Sequence, residues 1–168
     1  MVTRCGSLSA VTLGDTLRTF TPSDGSAVVD LVVAAGMFSP EEAGFLADGA
    51  LEATDDGATC FVDDAADGQG LASVLFYRPE EAADRAYDLT MIAVRPDLQG
   101  GGRGAALVRH AEDDLRDRNQ RLLVVRTSGT EQYDGTRAFY RRLGYVEASR
   151  VMDYWSDGDD LIVFTKRL

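Results

Sequence analysis

The run Gln99-Gly100-Gly101-Gly102-Arg103-Gly104, set between a strand-like stretch and an amphipathic one, decides how this chain is read. Ahead of it, Leu89-Thr90-Met91-Ile92-Ala93-Val94 has the make-up of a buried strand. Behind it, Leu107, Val108, Ala111 and Leu115 fall on one face of a helix, which leaves Arg109, Glu112, Asp113 and Arg116 for water. Four glycines at such a junction let the backbone pass close to a ligand and adopt positive φ where needed. The helix that opens there brings unsatisfied N–H groups and the positive end of its dipole. This combination is a phosphate cradle, and it predicts a phosphorylated ligand.

Spacing narrows the choice of ligand. Gly100, Gly102 and Ala105 fit the dinucleotide pattern G-x-G-x-x-A, but a dinucleotide turn follows its strand almost at once, and an acidic residue ends the next strand. Here five residues, Arg95-Pro96-Asp97-Leu98-Gln99, separate Val94 from the glycines. The next strand, Leu122-Leu123-Val124-Val125, runs into Arg126-Thr127-Ser128 rather than an acid. A P-loop needs Gly-Lys-Ser/Thr, and the chain's one lysine is Lys166, far from any glycine cluster.

Read instead as Gln-x-x-Gly-x-Gly, Gln99, Gly102 and Gly104 match the pyrophosphate motif of the GNAT acyltransferase superfamily, which this chain resembles. About 35 residues on comes Thr136-Arg137-Ala138-Phe139-Tyr140-Arg141-Arg142-Leu143-Gly144-Tyr145. It is similar to the family's second signature, a short helix carrying Phe-Tyr and closed by Gly-Tyr. The resemblance runs from about Leu17 to the C-terminus.

Composition is compatible with a compact enzyme. The 168 residues suffice for one domain that buries roughly two-thirds of its unfolded surface. We read residues 1–14 as a loose arm and 15–168 as a single acyltransferase domain. No apolar run approaches the roughly 20 residues of a membrane span, and no signal-peptide pattern follows Arg4, so a cytoplasmic protein is expected. Cys5 and Cys60 lack metal or redox spacing, so reduced thiols and no metal are expected. The net charge of −11 argues against nucleic acid and anionic membrane as partners. Aspartate supplies twenty of 28 acids and arginine outnumbers lysine sixteen to one, a bias that fits a GC-rich genome or a salty cytoplasm equally.

The order of elements predicts an α/β fold with a mixed sheet. Leu17-Arg18-Thr19-Phe20 alternates like a strand, and Thr21-Pro22-Ser23-Asp24 starts a helix ended by Gly36. Ser39-Pro40-Glu41-Glu42 starts a second, with Ser39 and Glu42 forming a capping box. Cys60-Phe61-Val62 and Leu71 to Tyr77 read as a hairpin. After the central strand and the glycine-led helix come Leu122–Val125, a helix over 136–143, Tyr145–Val151 and Leu161–Thr165. The strands flanking the glycine-led helix are expected to run parallel through a right-handed crossover. This is also the GNAT order. The resemblance implies a mostly antiparallel central sheet flanked by helices, with that parallel pair splayed around the pantetheine arm of acyl-CoA.

Acyl transfer from a thioester to an amine requires that the donor be held near the amine, that the amine lose a proton and that the thiolate gain one. The resemblance implies acetyl-CoA as donor, its pyrophosphate on the N–H groups of Gln99, Gly100, Gly101, Gly102, Arg103, Gly104 and Ala105. The edge of Ile92, Ala93 and Val94 would pair with the pantetheine. Arg103 either adds charge there or is a solvated loop arginine. Tyr140 occupies the family's general-acid position, since a phenol of pKa about 10 can protonate a thiolate; packing of the helix is the other reading. Seven residues earlier, where the family commonly has an asparagine on the cofactor, this chain has Tyr133.

Asp88, eleven residues before Gln99, stands where some histone-acetylating relatives carry a glutamate base. By two-residue alternation it shares a face with Thr90, Ile92 and Val94. It reads as a base acting through water or as a solvated strand-entry carboxylate, with Glu131, Tyr133 and Asp153 as other candidates. His110, well along the helix, reads as a surface residue. The segment Asp153-Tyr154-Trp155-Ser156-Asp157-Gly158-Asp159-Asp160 is either a cation-binding lip or an ordinary hairpin turn.

The expected function is acetyl transfer to the primary amine of a small molecule in a ternary complex. The alternatives are a protein or peptide N-acetyltransferase and a non-catalytic acyl-CoA sensor. A homodimer is a possible assembly.

Overall fold

A computed structural model describes residues 17–47, 51 and 57–168. Along these residues run β1 (Leu17–Thr19), α1 (Gly25–Ala34), α2 (Pro40–Ala47), β2 (Thr59–Asp64), β3 (Leu71–Pro79), β4 (Ala86–Val94), α3 (Arg103–Asp117), β5 (Leu122–Ser128), α4 (Asp134–Arg142), β6 (Val146–Ser156) and β7 (Asp159–Arg167). The arm assigned to residues 1–14, with Arg4 and Cys5, lies outside the described residues.

The strands form one sheet in the order β1-β2-β3-β4-β5-β7-β6. Every neighbouring pair is antiparallel except β4 and β5, which run parallel on either side of the α3 crossover. This is the mixed sheet that the sequence predicts. The parallel pairing joins only Ala86, Tyr87 and Asp88 to Leu122, Leu123 and Val124. β5 is meanwhile paired to β7 along its whole length, from Leu122 to Ser128. Past Asp88 and Val124 the two strands therefore part, as the resemblance implies, and the β5-side edge of β4 is left without a strand.

Two apolar cores cover the two faces. On one face α1 and α2 close over Val62, Val74, Phe76, Met91 and Ala93. On the other, Leu107, Val108, Ala111 and Leu115 of α3 lose all contact with water against Leu75, Tyr77, Leu89, Leu123 and Phe164. Burying side chains of this size stabilises the fold by about 1.5–3 kcal/mol each. The capping box of α2 forms as expected, with Ser39 N donating to Glu42 Oε2 at 2.8 Å and Glu42 N to Ser39 Oγ at 3.3 Å.

Strict alternation fails in β4. Phe76 pairs with Met91 but Tyr77 with Leu89, so Thr90 is an extra residue, a bulge. Before it, Tyr87 and Leu89 pack toward α3; after it, Ile92 and Val94 do, while Met91 and Ala93 turn toward α1. Asp88 therefore does not share the face of Ile92 and Val94 as the period of two predicts. It lies on the opposite face of the sheet.

A second correction concerns α3. Glu112, assigned to water by its position, is 3% exposed. Both its carboxylate oxygens accept hydrogen bonds from Lys166 Nζ at 2.8 Å, and Arg116 reaches it at 3.2 Å. Lys166 also donates to the Leu143 carbonyl at 2.8 Å, tying α3, β7 and the end of α4 together. Removing one member of a buried pair strands the other charge, whereas removing both does not. We expect Lys166→Met to cost about 3 kcal/mol and the double change with Glu112→Leu to recover most of it, as measured by urea unfolding.

Candidate active site

The loop after β4 is built to leave donors free. Arg95 opens a 3-10 turn, Pro96–Leu98, and its guanidinium is pinned by Asp67 and Asp97, each at 2.7 Å. Gln99 then donates from its side-chain amide to the Val94 carbonyl at 2.9 Å, closing the loop onto the end of β4. Gly100 and Gly102 adopt φ of +78° and +87°, and Gly102 is the N-cap of α3. A Cβ at either would meet nothing within 4 Å, so glycine is needed there for conformation and not for crowding. The first intrahelical bond runs from Ala106 N to the Gly102 carbonyl, no side chain caps the helix, and its first turn holds no acid. The N–H groups of Arg103, Gly104 and Ala105 thus open α3 without an intrahelical partner, at the positive end of its dipole.

Beside this helix start lies a cavity of about 590 Å³. It brings together Ile92, Val94, Gln99, Gly100, Gly102, Arg103, Gly104 and Ala105, all predicted from the sequence, with Tyr140 on the opposite wall. Ala93 turns its side chain to the α1 core, while Gly101 and Tyr133 do not line the cavity; Tyr133 ends a 3-10 turn ahead of α4. Arg103 is not solvated, because its guanidinium pairs with the fully buried Asp63 of β2. Two cations that sequence reading passed over, Arg109 and Arg142, also border the cavity, with Gly135, Thr136 and Phe139 of α4. Helical spacing could have found Arg109, four residues after Ala105 on the same face.

α4 is held in place by Arg137, which donates to the carbonyls of Ser128 and Thr130 (2.9 Å to the latter) and pairs with Asp134. That anchor sets Tyr140 against Phe139, Tyr145 and Phe164. Tyr140 is 3% exposed, and burial pushes its phenol well above the usual tyrosine range, with the charge of Asp88 adding to the effect. Among the described residues its hydroxyl has no hydrogen-bond partner. A phenol so placed stays protonated at neutral pH.

Asp88 lies on the far side of the parting strands, 8% exposed. Arg126 of β5 stands between it and Glu80, 2.8 Å from Asp88 Oδ1. Burial raises the Asp88 carboxyl above the ordinary range, while Arg126 pulls it back down and Glu80 pushes it up. A second cavity, of about 500 Å³, opens over Asp88 and is bordered by Arg78, Glu80, Arg126, Tyr154 and Trp155.

The other sequence candidates fall elsewhere. Asp153 is used within the hairpin, where its carboxylate accepts from Gly158 N at 2.7 Å and its own N–H donates to Asp160. Glu131 borders neither cavity. His110 is not simply a surface residue, since its ring packs edge-on against Phe61 at 4.6 Å. Cys60 is buried, and its thiol is pushed up to about 12 by that burial. Among the described residues no group of His, Cys, Asp and Glu could hold a metal, and no helix is long and apolar enough to cross a membrane.

A sequence model of the acetyltransferase (GNAT) family matches residues 28–145. A solved structure from Desulfovibrio desulfuricans, assigned to the GNAT acetyltransferases, superposes with a TM-score of 0.81 at 32% identity, over 90% of this chain and 97% of that one. A ribosomal-protein alanine N-acetyltransferase from Escherichia coli superposes with 0.72 at 22% identity (90% and 92% covered). A spermidine/spermine N-acetyltransferase from Vibrio cholerae gives 0.69 at 16% identity (93% and 95%). The last two share the fold. No curated protein sequence matches the chain.

Strain at the N-cap of α3 can be tested apart from packing. Gly102→Ala is expected to cost about 1–2 kcal/mol, because a Cβ at positive φ is strained even in open space. Gly135→Ala, also with open space but within α4, is expected to be neutral or stabilising by up to about 1 kcal/mol. Urea unfolding of the two variants checks both.

Proposed function

The chain belongs to the GNAT acetyltransferase family, and on that premise we propose that it moves an acetyl group from acetyl-CoA to the primary amine of a small molecule by direct attack in a ternary complex. The observation that carries this reading is the parting of β4 from β5 beside the uncapped start of α3. An unpaired strand edge and a row of free N–H groups form one continuous set of donors and acceptors, which suits an amide-bearing arm that ends in a pyrophosphate.

In this reading the N–H groups from Gly100 to Ala105 hold the pyrophosphate, since the Gln99 N–H is spent on the Pro96 carbonyl at 3.3 Å, and Arg109 and Arg142 add positive charge around it. The open edge of Ile92, Ala93 and Val94 pairs with the pantetheine amides. Arg103, spent on Asp63, shapes the loop rather than meeting the anion. Tyr133 stays a weaker candidate for a cofactor contact. The acyl donor supplies an activated carbonyl; the chain supplies proton handling on both sides of it. Asp88, kept basic by burial, takes a proton from the incoming amine, directly or through water. Tyr140 gives one to the departing thiolate.

Support for a small acceptor comes from the 500 Å³ cavity over Asp88, which is small-molecule in size. A homodimer, implied by the same resemblance, would cover the edge strand β6, where Val146 and Met152 are each 67% exposed.

Acetyl-CoA-dependent thiol release across amines, polyamines, amino acids, aminoglycosides and peptides tests the proposal. Tyr140→Phe is expected to lower kcat about 100-fold or more, with acetyl-CoA affinity by calorimetry little changed. Saturable acetyl-CoA binding without turnover on any amine would instead favour the sensor. With the best acceptor, kcat/KM should fall as pH drops through the raised pKa of Asp88. Arg126→Gln removes the charge that lowers this pKa, so the acid limb of the profile should move to higher pH.

A further inference from the structure

The cavity over Asp88 carries more than one charge to be answered, and the arrangement names the class of acceptor. Arg126 is occupied, since it faces Glu80 and Asp88 together. Asp88, more than nine-tenths buried, still has an oxygen, Oδ1, with no hydrogen-bond partner. The contact with Arg126 at that oxygen is an ion pair that lacks hydrogen-bond geometry.

Arg78 is the residue directly opposite Asp88 in the β3–β4 register. Cross-strand partners point to the same face, with Cβ atoms about 5 Å apart. Arg78 is exposed, borders the same cavity and, among the described residues, has no ion pair or hydrogen bond from its guanidinium. A guanidinium without a hydrogen bond and a buried carboxylate thus stand side by side on one face, immediately where β4 and β5 part.

The third wall is aromatic. Register shifts between Val151 and Ser156, with Asp153 at φ +51°, turn the end of β6 so that both Tyr154 and Trp155 border the cavity. Their rings meet edge to face at 4.9 Å and stay about half exposed. Such a pair of exposed rings beside a cavity is a surface for an apolar group.

We propose that the acceptor is an α-amino acid with an apolar or aromatic side chain: its ammonium on Asp88, its carboxylate on Arg78 and its side chain on Tyr154 and Trp155. The two charged groups of an α-amino acid sit on one carbon, which matches a carboxylate and a guanidinium carried at one cross-strand position. A polyamine would bring a second ammonium toward Arg78 and Arg126. A peptide N-terminus has an amide where Arg78 asks for a carboxylate; Glu81, exposed and bordering the same cavity, does not change that pairing. The step is balanced: the amine nitrogen bonds to the thioester carbonyl carbon, the carbon–sulfur bond breaks, Asp88 takes the amine proton, and Tyr140 protonates the thiolate. The products are an N-acetylamino acid and CoA.

This inference rests on the acetyltransferase reading, and its test separates the two. Thiol release from acetyl-CoA is measured with L-phenylalanine, L-phenylalaninamide and phenethylamine, and with the matching leucine series. We expect kcat/KM for the free amino acid to exceed that of the amide and of the decarboxylated amine by tenfold or more. Arg78→Gln should erase that preference, mainly through KM, with acetyl-CoA affinity unchanged, and Arg78→Lys should restore part of it. Equal or better turnover of the amide or amine overturns the amino-acid assignment and leaves the acetyltransferase reading intact. Acetyl-CoA binding without turnover of any amino acid also overturns it. Absence of acetyl-CoA binding sinks the underlying reading as well.

Discussion

β4 and β5 are paired over only three residues each, and both cavities of this fold follow from that brevity. Two strands of a sheet ordinarily pair along their length, because each unpaired backbone group buried from water is costly. Here pairing stops after Asp88 and Val124, since β5 follows β7 and β4 follows β3. The edge left open is the part of the fold that asks for an outside partner. Both cavities sit around it, and Tyr140 and Asp88 lie on its two sides.

A chain with net charge −11 keeps its few cations for chosen places. Arg18 bridges Asp24 and Asp64, Arg103 reaches the buried Asp63, Arg137 secures the approach to α4, and Lys166 satisfies Glu112. Arg18, Arg103 and Lys166 each join elements distant in sequence. Such pairs contribute little net energy when weighed against their desolvation, yet losing one partner is severe. They act as registration points: a wrong packing would leave a buried charge alone. Among the described residues, Arg109 and Arg142 at the first cavity and Arg78 at the second are cations without an ion pair.

The parts of this fold that were legible in the sequence are those governed by local period and local motif. The four apolar residues of α3 follow from a repeat of 3.6, and all four are fully buried. The capping box of Ser39 and Glu42 needs only three residues to be read. What escaped reading is non-local. Nothing around Thr90 announces a bulge; it exists because β3 and β4 settle into two registers on either side of it, and it moves Asp88 to the other face. Glu112 looks solvent-facing until Lys166, 54 residues away, is brought beside it. Arg103 was open between two roles, and its actual partner lies 40 residues back on β2. At the candidate site the motifs sufficed to place the glycines and Tyr140 around one cavity, whereas the position of Arg78 across from Asp88 is a matter of strand register.

The bulge at Thr90 also decides traffic. Because it reverses the facing of β4 partway along, the cavity at the start of α3 and the cavity over Asp88 open on opposite sides of one sheet. Each cavity therefore has its own face of the sheet to open onto.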